Sequence, residues 1–343
     1  MIKFSTWYFQ RFNNLNDVIE VLRENRTIVN NIDWDDRDLF YRIEEAEGFN
    51  INEGNVININ GEDIRYIYFS VLVEREKRIW NQTQPIEDRI HPYREDVLLY
   101  EDNNTIKLIV LATRKNSERI IKFMFPNEVW GEILEENHID KDFLYWVFYR
   151  LRNFENTVEL ADNSNLYLTG LKSYMGKSRD EVNAVRGSGV RVAALLGTLA
   201  FIFNNEDLRA LRPEFQYIGH TIVTEIHLDN SNRIYDKYYR GEFLGLDDSV
   251  RRIAILLFVC KSMISKLVEC YEVNINLDLW SQKIKLNFLQ SIGNSIRDTV
   301  DNELHRIENE MDRYRLNEDY EENDEIDEDD DEIENEEFED ELV

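Results

Sequence analysis

The stretch of residues 56–69, VININGEDIRYIYF, decides the fold class. β-branched and aromatic residues stand on both sides of Asn60-Gly61, and Asn-Gly is a dipeptide typical of a tight hairpin turn. We therefore predict two antiparallel strands that meet at Asn60-Gly61, the second of which can continue to Val73. A hairpin of this kind favours an antiparallel sheet.

Strands and helices are predicted in mixed order around this hairpin. Alternating or β-branched runs indicate strands, and apolar residues spaced by three and four indicate helices. Further strands are predicted at residues 2–10, 96–100, 106–112, 166–172, 215–228, 233–239 and 273–279. Helices are predicted at residues 15–24, 117–123, 128–136, 140–152 (with Asp140 as N-cap), 190–203 and 248–272. This order predicts an α+β fold rather than a doubly wound parallel sheet.

The chain is long enough for two domains. With 343 residues it exceeds the roughly 100–200 residues of a typical domain. The polar stretch 153–165 is the predicted boundary. We predict an N-terminal α+β domain over residues 1–155 and a C-terminal α+β domain over residues 156–316.

The C-terminal domain is predicted to end in a long amphipathic helix. Its apolar positions follow a three-to-four spacing, at residues Ile292, Ile296, Val300, Leu304, Ile307, Met311 and Tyr314. Such a stripe can pack on its own domain or pair with a partner helix. We predict a homo-oligomer that forms through residues 292–314.

Acidic residues dominate the end of the chain. Residues 317–343 contain eighteen Asp or Glu and no Lys or Arg, out of a formal net charge of −29 for the whole chain. Like charges and sparse apolar residues predict a disordered tail. The remaining 316 residues carry a net charge of −11, which argues against a protein that coats nucleic acid.

The sequence predicts a cytoplasmic protein. No apolar run approaches the ~20 residues of a membrane span, and residues 1–7 lack the features of a signal peptide. Cys260 and Cys270 lie on one predicted helix, about 15 Å apart along its axis. That distance excludes a disulfide between them, so we predict two reduced, buried cysteines.

A basic segment interrupts the acidic chain between residues 172 and 191, with five Lys or Arg against two Asp or Glu. Gly187-Ser188-Gly189 precedes a predicted helix, and free N–H groups at a helix N-terminus bind anions. Arginine side chains beside such a turn can grip phosphate. The alternative is a surface loop whose charges pair with nearby carboxylates. The predicted nucleic-acid or anion-binding residues are Lys172, Lys177, Arg179, Arg186, Gly187, Gly189 and Arg191.

A second basic cluster is opposed only by Glu118. It consists of Lys107, Arg114, Lys115, Arg119 and Lys122. A solvated helix face is the alternative to a binding role for these residues.

Catalytic and metal-binding patterns are weak. Gly176-Lys177-Ser178 resembles the end of a phosphate-binding loop, but Leu171 stands where that loop needs glycine, so we predict an ordinary polar loop there. His220 and His227 lie at odd separation on one predicted strand and therefore point to opposite faces. Asp96, Glu101 and Lys107, on adjacent predicted strands, leave a nuclease as the alternative. We predict no catalytic residue, no metal site and no cofactor.

The segment IHLD at residues 226–229, continued by RIYDKYY at 233–239 and KLVECY at 266–271, resembles the RexA phage-exclusion family. The hairpin at residues 56–69 and the strand pair at residues 96–111 are similar as well, so the resemblance extends over about residues 1–273. It implies a cytoplasmic sensor that binds DNA or a protein–DNA complex and signals to a membrane protein. The last 70 or so residues and the acidic body depart from that pattern and put direct DNA binding in question.

These observations together favour a non-catalytic sensor or adaptor in anti-phage defence. Two alternatives stay open: a nuclease or nucleotide-handling enzyme whose site is built from scattered carboxylates, and an acidic interaction protein whose tail mimics the charge of DNA.

Overall fold

The structure, a computed structural model, describes residues 1–30, 39–77, 83–136, 139–153, 158–178, 183–189, 192–204 and 206–324. Its strands are β1 (Ile2–Phe9), β2 (Thr27–Asn30), β3 (Leu39–Glu45), β4 (Asn55–Ile59), β5 (Glu62–Glu76), β6 (Ile90–Asp102), β7 (Thr105–Leu111), β8 (Ile133–Glu135), β9 (Val158–Glu159), β10 (Leu166–Lys177), β11 (Ala184–Ser188), β12 (Asp207–Tyr217), β13 (His220–His227) and β14 (Asn232–Ile234). The predicted α+β class is confirmed.

The described α-helices are α1 (Leu15–Glu24), α2 (Ile86–Arg89), α3 (Arg114–Met124), α4 (Asn127–Trp130), α5 (Lys141–Asn153), α6 (Leu196–Phe203), α7 (Asp248–Leu257), α8 (Ile264–Asn276) and α9 (Gln282–Asp324). A π-helical segment, Phe258–Met263, joins α7 to α8 without a break. Asp140 caps α5 as predicted, because its Oδ1 accepts the N–H of Phe143 at 2.7 Å.

The predicted hairpin is confirmed. Strands β4 and β5 pair with Ile59 opposite Glu62, and both turn residues, Asn60 and Gly61, have positive φ. That geometry is the one a two-residue hairpin turn requires. Strands β6 and β7 meet in the same way at Asn103-Asn104.

All strands belong to one antiparallel sheet. Its order is β11-β10-β12-β13-β14-β1-β7-β6-β5-β3-β2, with β4 beside β5, β8 beside β1 and β9 beside β10. Strand β1 is the junction, because Ile2 to Phe4 pair with β14 and Ser5 to Phe9 pair with β7. The first strand of the chain therefore joins the strands of its later half to those of its first half.

The sheet has a different hydrophobic layer on each face. Along β1, Ile2 and Phe4 belong to one core cluster, and Trp7 and Phe9 belong to the other. The first cluster lies between the sheet and α5 to α8 with the start of α9, and the second lies under α1, α3 and α4. Strands β5 to β7 are apolar on both faces for this reason.

Only one face of the later strands is buried in this way. β10, β12 and β13 give Leu168, Phe215 and Ile226 to the first cluster, and the second cluster contains no residue of β9 to β14. The other face of these strands also has buried residues, such as Val223 and Glu225, but among the described residues none of them belongs to either hydrophobic cluster. We call that side, over β10 to β14, the open face.

Several predicted elements are wrong, each for a local reason. Residues 128–136 are not one helix, because α4 stops at Gly131, whose φ is +72°, and β8 follows. Residues 215–228 are two strands, since Ile218 and Gly219 form a turn with positive φ at both positions. Helix α8 runs through most of residues 273–279, which were predicted as a strand. Helix α6 begins at Leu196 rather than residue 190, and residues 190 and 191 lie outside the described residues.

Helix α9 is anchored at its start and exposed afterwards. Phe288 and Ile292 are buried against the body, and Lys285 Nζ lies 2.6 Å from Asp142 Oδ1. From residue 297 to residue 315 every side chain is exposed. The predicted amphipathic helix is confirmed, and the later part of its apolar stripe has no cover within the described residues.

The predicted boundary at residues 153–165 falls between α5 and β10. Residues from both sides of it share the first core cluster, for example Phe143 and Leu168. The division into two domains stays a prediction. Helix α9 continues to Asp324, and the rest of the predicted tail lies outside the described residues. No helix in the described ranges is long and apolar enough to cross a membrane.

Candidate nucleic-acid interface

The open face carries charged side chains at alternating positions of neighbouring strands. The strand register places Arg186 opposite Met175, and Ser188 opposite Ser173. Ser173 faces Arg212 on β12, and Arg233 on β14 lies between Glu225 of β13 and Lys3 of β1. Opposed residues share one face of an antiparallel sheet. A polar row therefore crosses from the sheet edge at β11 to β1.

Glu225 is the centre of this row and is almost fully buried. Its carboxylate accepts hydrogen bonds from Arg212 Nε at 2.8 Å, from the Tyr235 hydroxyl at 2.8 Å and from His227 Nε2 at 2.7 Å. Arg233 Nη1 lies 3.0 Å from the same carboxylate. The Arg212 guanidinium also stacks on the Tyr235 ring, 4.1 Å from its centroid. One acidic side chain thus fixes two arginines on the open face.

These contacts set the ionisation of Glu225. Burial alone would raise the pKa of the carboxyl group, but hydrogen bonds from His227, Arg212 and Tyr235 outweigh that effect and hold its pKa well below the ordinary value. Glu225 is therefore ionised throughout the neutral range. The His227 ring donates through Nε2 to this carboxylate, which fixes its orientation.

Two of the predicted binding residues stand on the open face. Lys177 ends β10 opposite Ala184, and Arg186 lies in β11 opposite Met175; both side chains are exposed. Neither forms an ion pair with another described residue. Lys172 sits at a β-bulge between Leu171 and Ser173 and pairs with Glu214 at 2.9 Å. Arg179 and Arg191 lie outside the described residues.

The predicted glycine turn at a helix N-terminus is wrong. Gly187 lies in β11 opposite Tyr174, and a Cβ there would come within 2.2 Å of the Tyr174 ring. The N–H of Gly189 is used by the carbonyl of Lys172 at 3.1 Å. Gly176 and Lys177 belong to β10 rather than to a loop. In this region an anion could therefore contact basic side chains on the sheet surface rather than backbone N–H groups at a helix end.

A small cavity of about 280 Å³ lies between β1, the β13–β14 turn and the helical segment from Cys260 to Glu272. Thr6, His227 and Asn230 line its sheet side, and Cys260 of the π-helical segment lines its helix side. Asn230 ties β1 to the β13–β14 turn, because its Nδ2 donates to the Thr6 carbonyl at 2.8 Å. Burial raises the pKa of the Cys260 thiol, so the cavity offers no thiolate nucleophile. Both cysteines are free and buried, as predicted.

The residues of the nuclease alternative do not converge. Asp96 and Glu101 are five residues apart on β6 and point to opposite faces. Lys107 lies opposite Tyr100 and pairs with Glu136 at 2.5 Å. Among the described residues, no group of three or more His, Cys, Asp or Glu side chains is placed to hold a metal. His220 and His227 lie on opposite faces of β13, as predicted.

The second basic cluster is divided by the fold. Arg114 binds Glu135 through two hydrogen bonds, at 2.6 and 3.0 Å, and it also binds Glu118. Lys115 and Arg119 face a cleft on the other side of α3. Lys122 lies 5.3 Å from the ring centroid of its neighbour Phe123. Only part of this cluster is therefore available to a ligand.

The sequence predictions missed Lys3, Arg212, Glu225 and Arg233. The available signal was charge at alternating positions within apolar strands, such as Arg212 and Glu214 in β12 or Glu225 between Val223 and His227 in β13. Comparison with protein-family models and with curated proteins found no match to this chain.

Proposed function

We propose that the protein is a non-catalytic cytoplasmic adaptor that binds nucleic acid, alone or in a protein complex, on its open face. The observation that carries the proposal is the pair Lys177 and Arg186, exposed and without an ion pair among the described residues in a chain of net charge −29. Acidic proteins have carboxylates in excess, so exposed cations left unpaired on one surface favour an external anion.

Neighbouring charges extend this surface. Strands in a sheet lie about 4.8 Å apart, so Arg186 and Lys177, with Arg233 and Lys3 further along, are spread across a width comparable to several backbone phosphates. Arg233 is about one-third exposed although it also contacts Glu225. A sheet surface with exposed cations suits a flexible single strand, which can follow its curvature.

The exposed later part of α9 supports the proposed role as an adaptor. An isolated helix gains little stability without packing, so the exposed stripe from Val300 to Tyr314 suits a binding partner. We propose self-association through this stripe, with a membrane-protein effector as a further partner. The resemblance to the RexA family supports a role in anti-phage defence.

The test of the open face is fluorescence anisotropy with a labelled single-stranded oligonucleotide at about 50 mM salt, since phosphate contacts are strongest at low salt. Arg186→Glu and Lys177→Glu should each weaken binding at least about fivefold. Each should also reduce the salt slope by about one unit. The matched control is Lys283→Glu, the same charge change at an exposed lysine of α9, which should bind as the wild type does.

Circular dichroism checks that the variants fold, which is expected because both side chains point to solvent. Equal losses in Arg186→Glu and Lys283→Glu would show that only net charge matters and would contradict a specific surface. No binding by wild-type protein would remove nucleic acid as the ligand and leave a protein ligand.

A further inference from the structure

A second, larger cleft lies at the other end of the sheet, between helix α3 and the outer strands. Its volume is about 700 Å³, within the range of sites that bind small organic molecules. Helix α3 contributes Lys115, Arg119 and Phe123 to its wall. Strands β3 and β5 contribute Tyr41 and Arg75, and Lys77 directly follows β5. None of these residues belongs to the open face.

Four cations line this cleft against two carboxylates, Glu74 and Glu76. Lys115 and Arg119 are four residues apart and share one side of α3, whereas Arg75 lies near the end of β5 and Lys77 directly follows that strand. One Glu74 oxygen is turned to the backbone, where it accepts the N–H of Phe40 at 3.3 Å. Lys77, Lys115 and Arg119 form no ion pair with another described residue. The cleft therefore keeps a positive surface inside an acidic protein.

A neutral donor also lines the cleft. The side chain of Tyr41 is only 2% exposed, lines the cleft, and its hydroxyl makes no hydrogen bond to another described residue. Burial, and to a lesser extent the neighbouring Tyr93, raise the pKa of Tyr41 to about 12, so the hydroxyl keeps its proton at neutral pH. Because this hydroxyl reaches the cleft, an acceptor on a bound ligand can take its hydrogen bond in place of water.

The cleft has an aromatic wall beside these polar groups. Phe123 is half-buried, and its ring packs on Tyr41 with centroids 5.2 Å apart. The combination of a flat apolar surface with cations and a hydroxyl donor matches a molecule that has both a planar ring and phosphate oxygens. We propose that this cleft binds a nucleotide, with its phosphates among Lys115, Arg119, Arg75 and Lys77 and its base against Phe123.

Isothermal titration calorimetry with ADP, adenosine and inorganic pyrophosphate tests the proposal on the full chain. ADP should bind, adenosine should not bind detectably, and pyrophosphate should bind at least about tenfold more weakly than ADP because it lacks the base. The variant Lys115→Gln with Arg119→Gln should lose at least about tenfold in ADP affinity. Its matched control, Lys283→Gln with Arg297→Gln on α9, removes the same charge elsewhere and should bind ADP as the wild type does.

Tyr41→Phe provides a second test that keeps the ring and the packing. It should weaken ADP binding a few-fold and leave the melting temperature unchanged or higher. The proposal is overturned by absence of ADP binding at about 1 mM, by equal affinity for ADP and pyrophosphate, or by equal losses in the α3 and α9 variants. Oligonucleotide binding on the open face should be the same in the Lys115→Gln, Arg119→Gln variant as in the wild type. The nucleotide proposal and the nucleic-acid proposal can therefore be contradicted separately.

Discussion

His227 Nε2 lies 2.7 Å from Glu225 Oε1, although the two residues are only two positions apart on β13. Both side chains point to the same face of the strand because side chains alternate along it. The pair belongs to the network that holds Arg212 and Arg233, so the ionisation of Glu225 controls the arrangement of the open face.

The first prediction concerns this carboxylate and pH. The folded-state pKa of Glu225 lies below its ordinary value of 4.5, so its charge stabilises the fold above that pH and the contribution is lost as the pH falls further. Glu225→Gln should lower the free energy of unfolding by about 3–5 kcal/mol at pH 7, because it leaves two arginines without their carboxylate. Urea denaturation between about pH 7 and pH 3 should show the difference from wild type shrinking towards the acid end.

Glu214→Gln is the control for that experiment. Glu214 is on the same face and pairs with Lys172, but its side chain is one-quarter exposed, so its loss should cost less than about 1 kcal/mol. A constant difference between wild type and Glu225→Gln at all pH values would contradict the depressed pKa.

The second prediction concerns the stripe on α9. Val300→Glu combined with Leu304→Glu should give a folded monomer, because charges at the centre of an apolar helix contact prevent its burial. Sedimentation at tens of micromolar measures the change. Asn302→Glu with Asn309→Glu places the same groups on the opposite side of the helix and should leave self-association intact. A wild-type protein that is monomeric at that concentration would contradict the proposed contact.

The third prediction concerns the β12–β13 turn. Ile218 has a φ of +44°, a conformation that β-branched residues adopt at a cost, and its side chain is half exposed. Ile218→Asn should raise the free energy of unfolding by about 1 kcal/mol, since asparagine tolerates this region. Ile218→Val keeps the branched side chain and should give no gain. Urea denaturation compares the three proteins, and a destabilised Asn variant would mean that Ile218 makes a contact worth more than the strain.

The fourth prediction concerns the acidic tail. Deletion of residues 317–343 removes eighteen carboxylates, which should leave the melting temperature unchanged or slightly higher. The same deletion should tighten oligonucleotide binding, because the tail competes as an intramolecular anion. Calorimetry and anisotropy measure the two effects. A fall in melting temperature of more than about 10 °C would show that the tail packs on the body.

Local signals predicted much of this fold. Asn60-Gly61 marked a real hairpin turn, because positive φ depends on the turn residues themselves. The alternation of Val273, Ile275, Leu277 and Leu279 led to a wrong prediction of a strand. Ile275, Leu277 and Leu279 are exposed at the end of a helix and in the turn after it, so their spacing does not reflect burial.

The candidate sites were less predictable because they depend on partners distant in sequence. Charge alone identified Lys177 and Arg186, which lie together because β10 and β11 are neighbours in sequence. Arg212, Glu225 and Arg233 meet across three strands, and their register is set by the whole sheet. The cleft near Tyr41 combines three strands with helix α3, which lies some 75 residues after Tyr41, a distance no local pattern reports.

The π-helical segment Phe258–Met263 sets the phase of everything that follows it in the helix. A π-turn holds one residue more than an α-turn, and each residue of an α-helix adds about 100° of rotation and 1.5 Å of rise. Tyr271 reaches Asp142, and Asn274 reaches the carbonyl of Leu160, only in the present phase. Loss of a single residue within 258–263 would remove the extra residue of the wide turn, restore an ordinary α-turn and leave the phase of the helix after it unchanged, so both side chains should keep these contacts. Loss of one residue between Ile264 and Cys270, where the helix is already α-helical, would instead rotate both side chains by about 100°, so this long helix should tolerate shortening at its π-helical segment but not just after it.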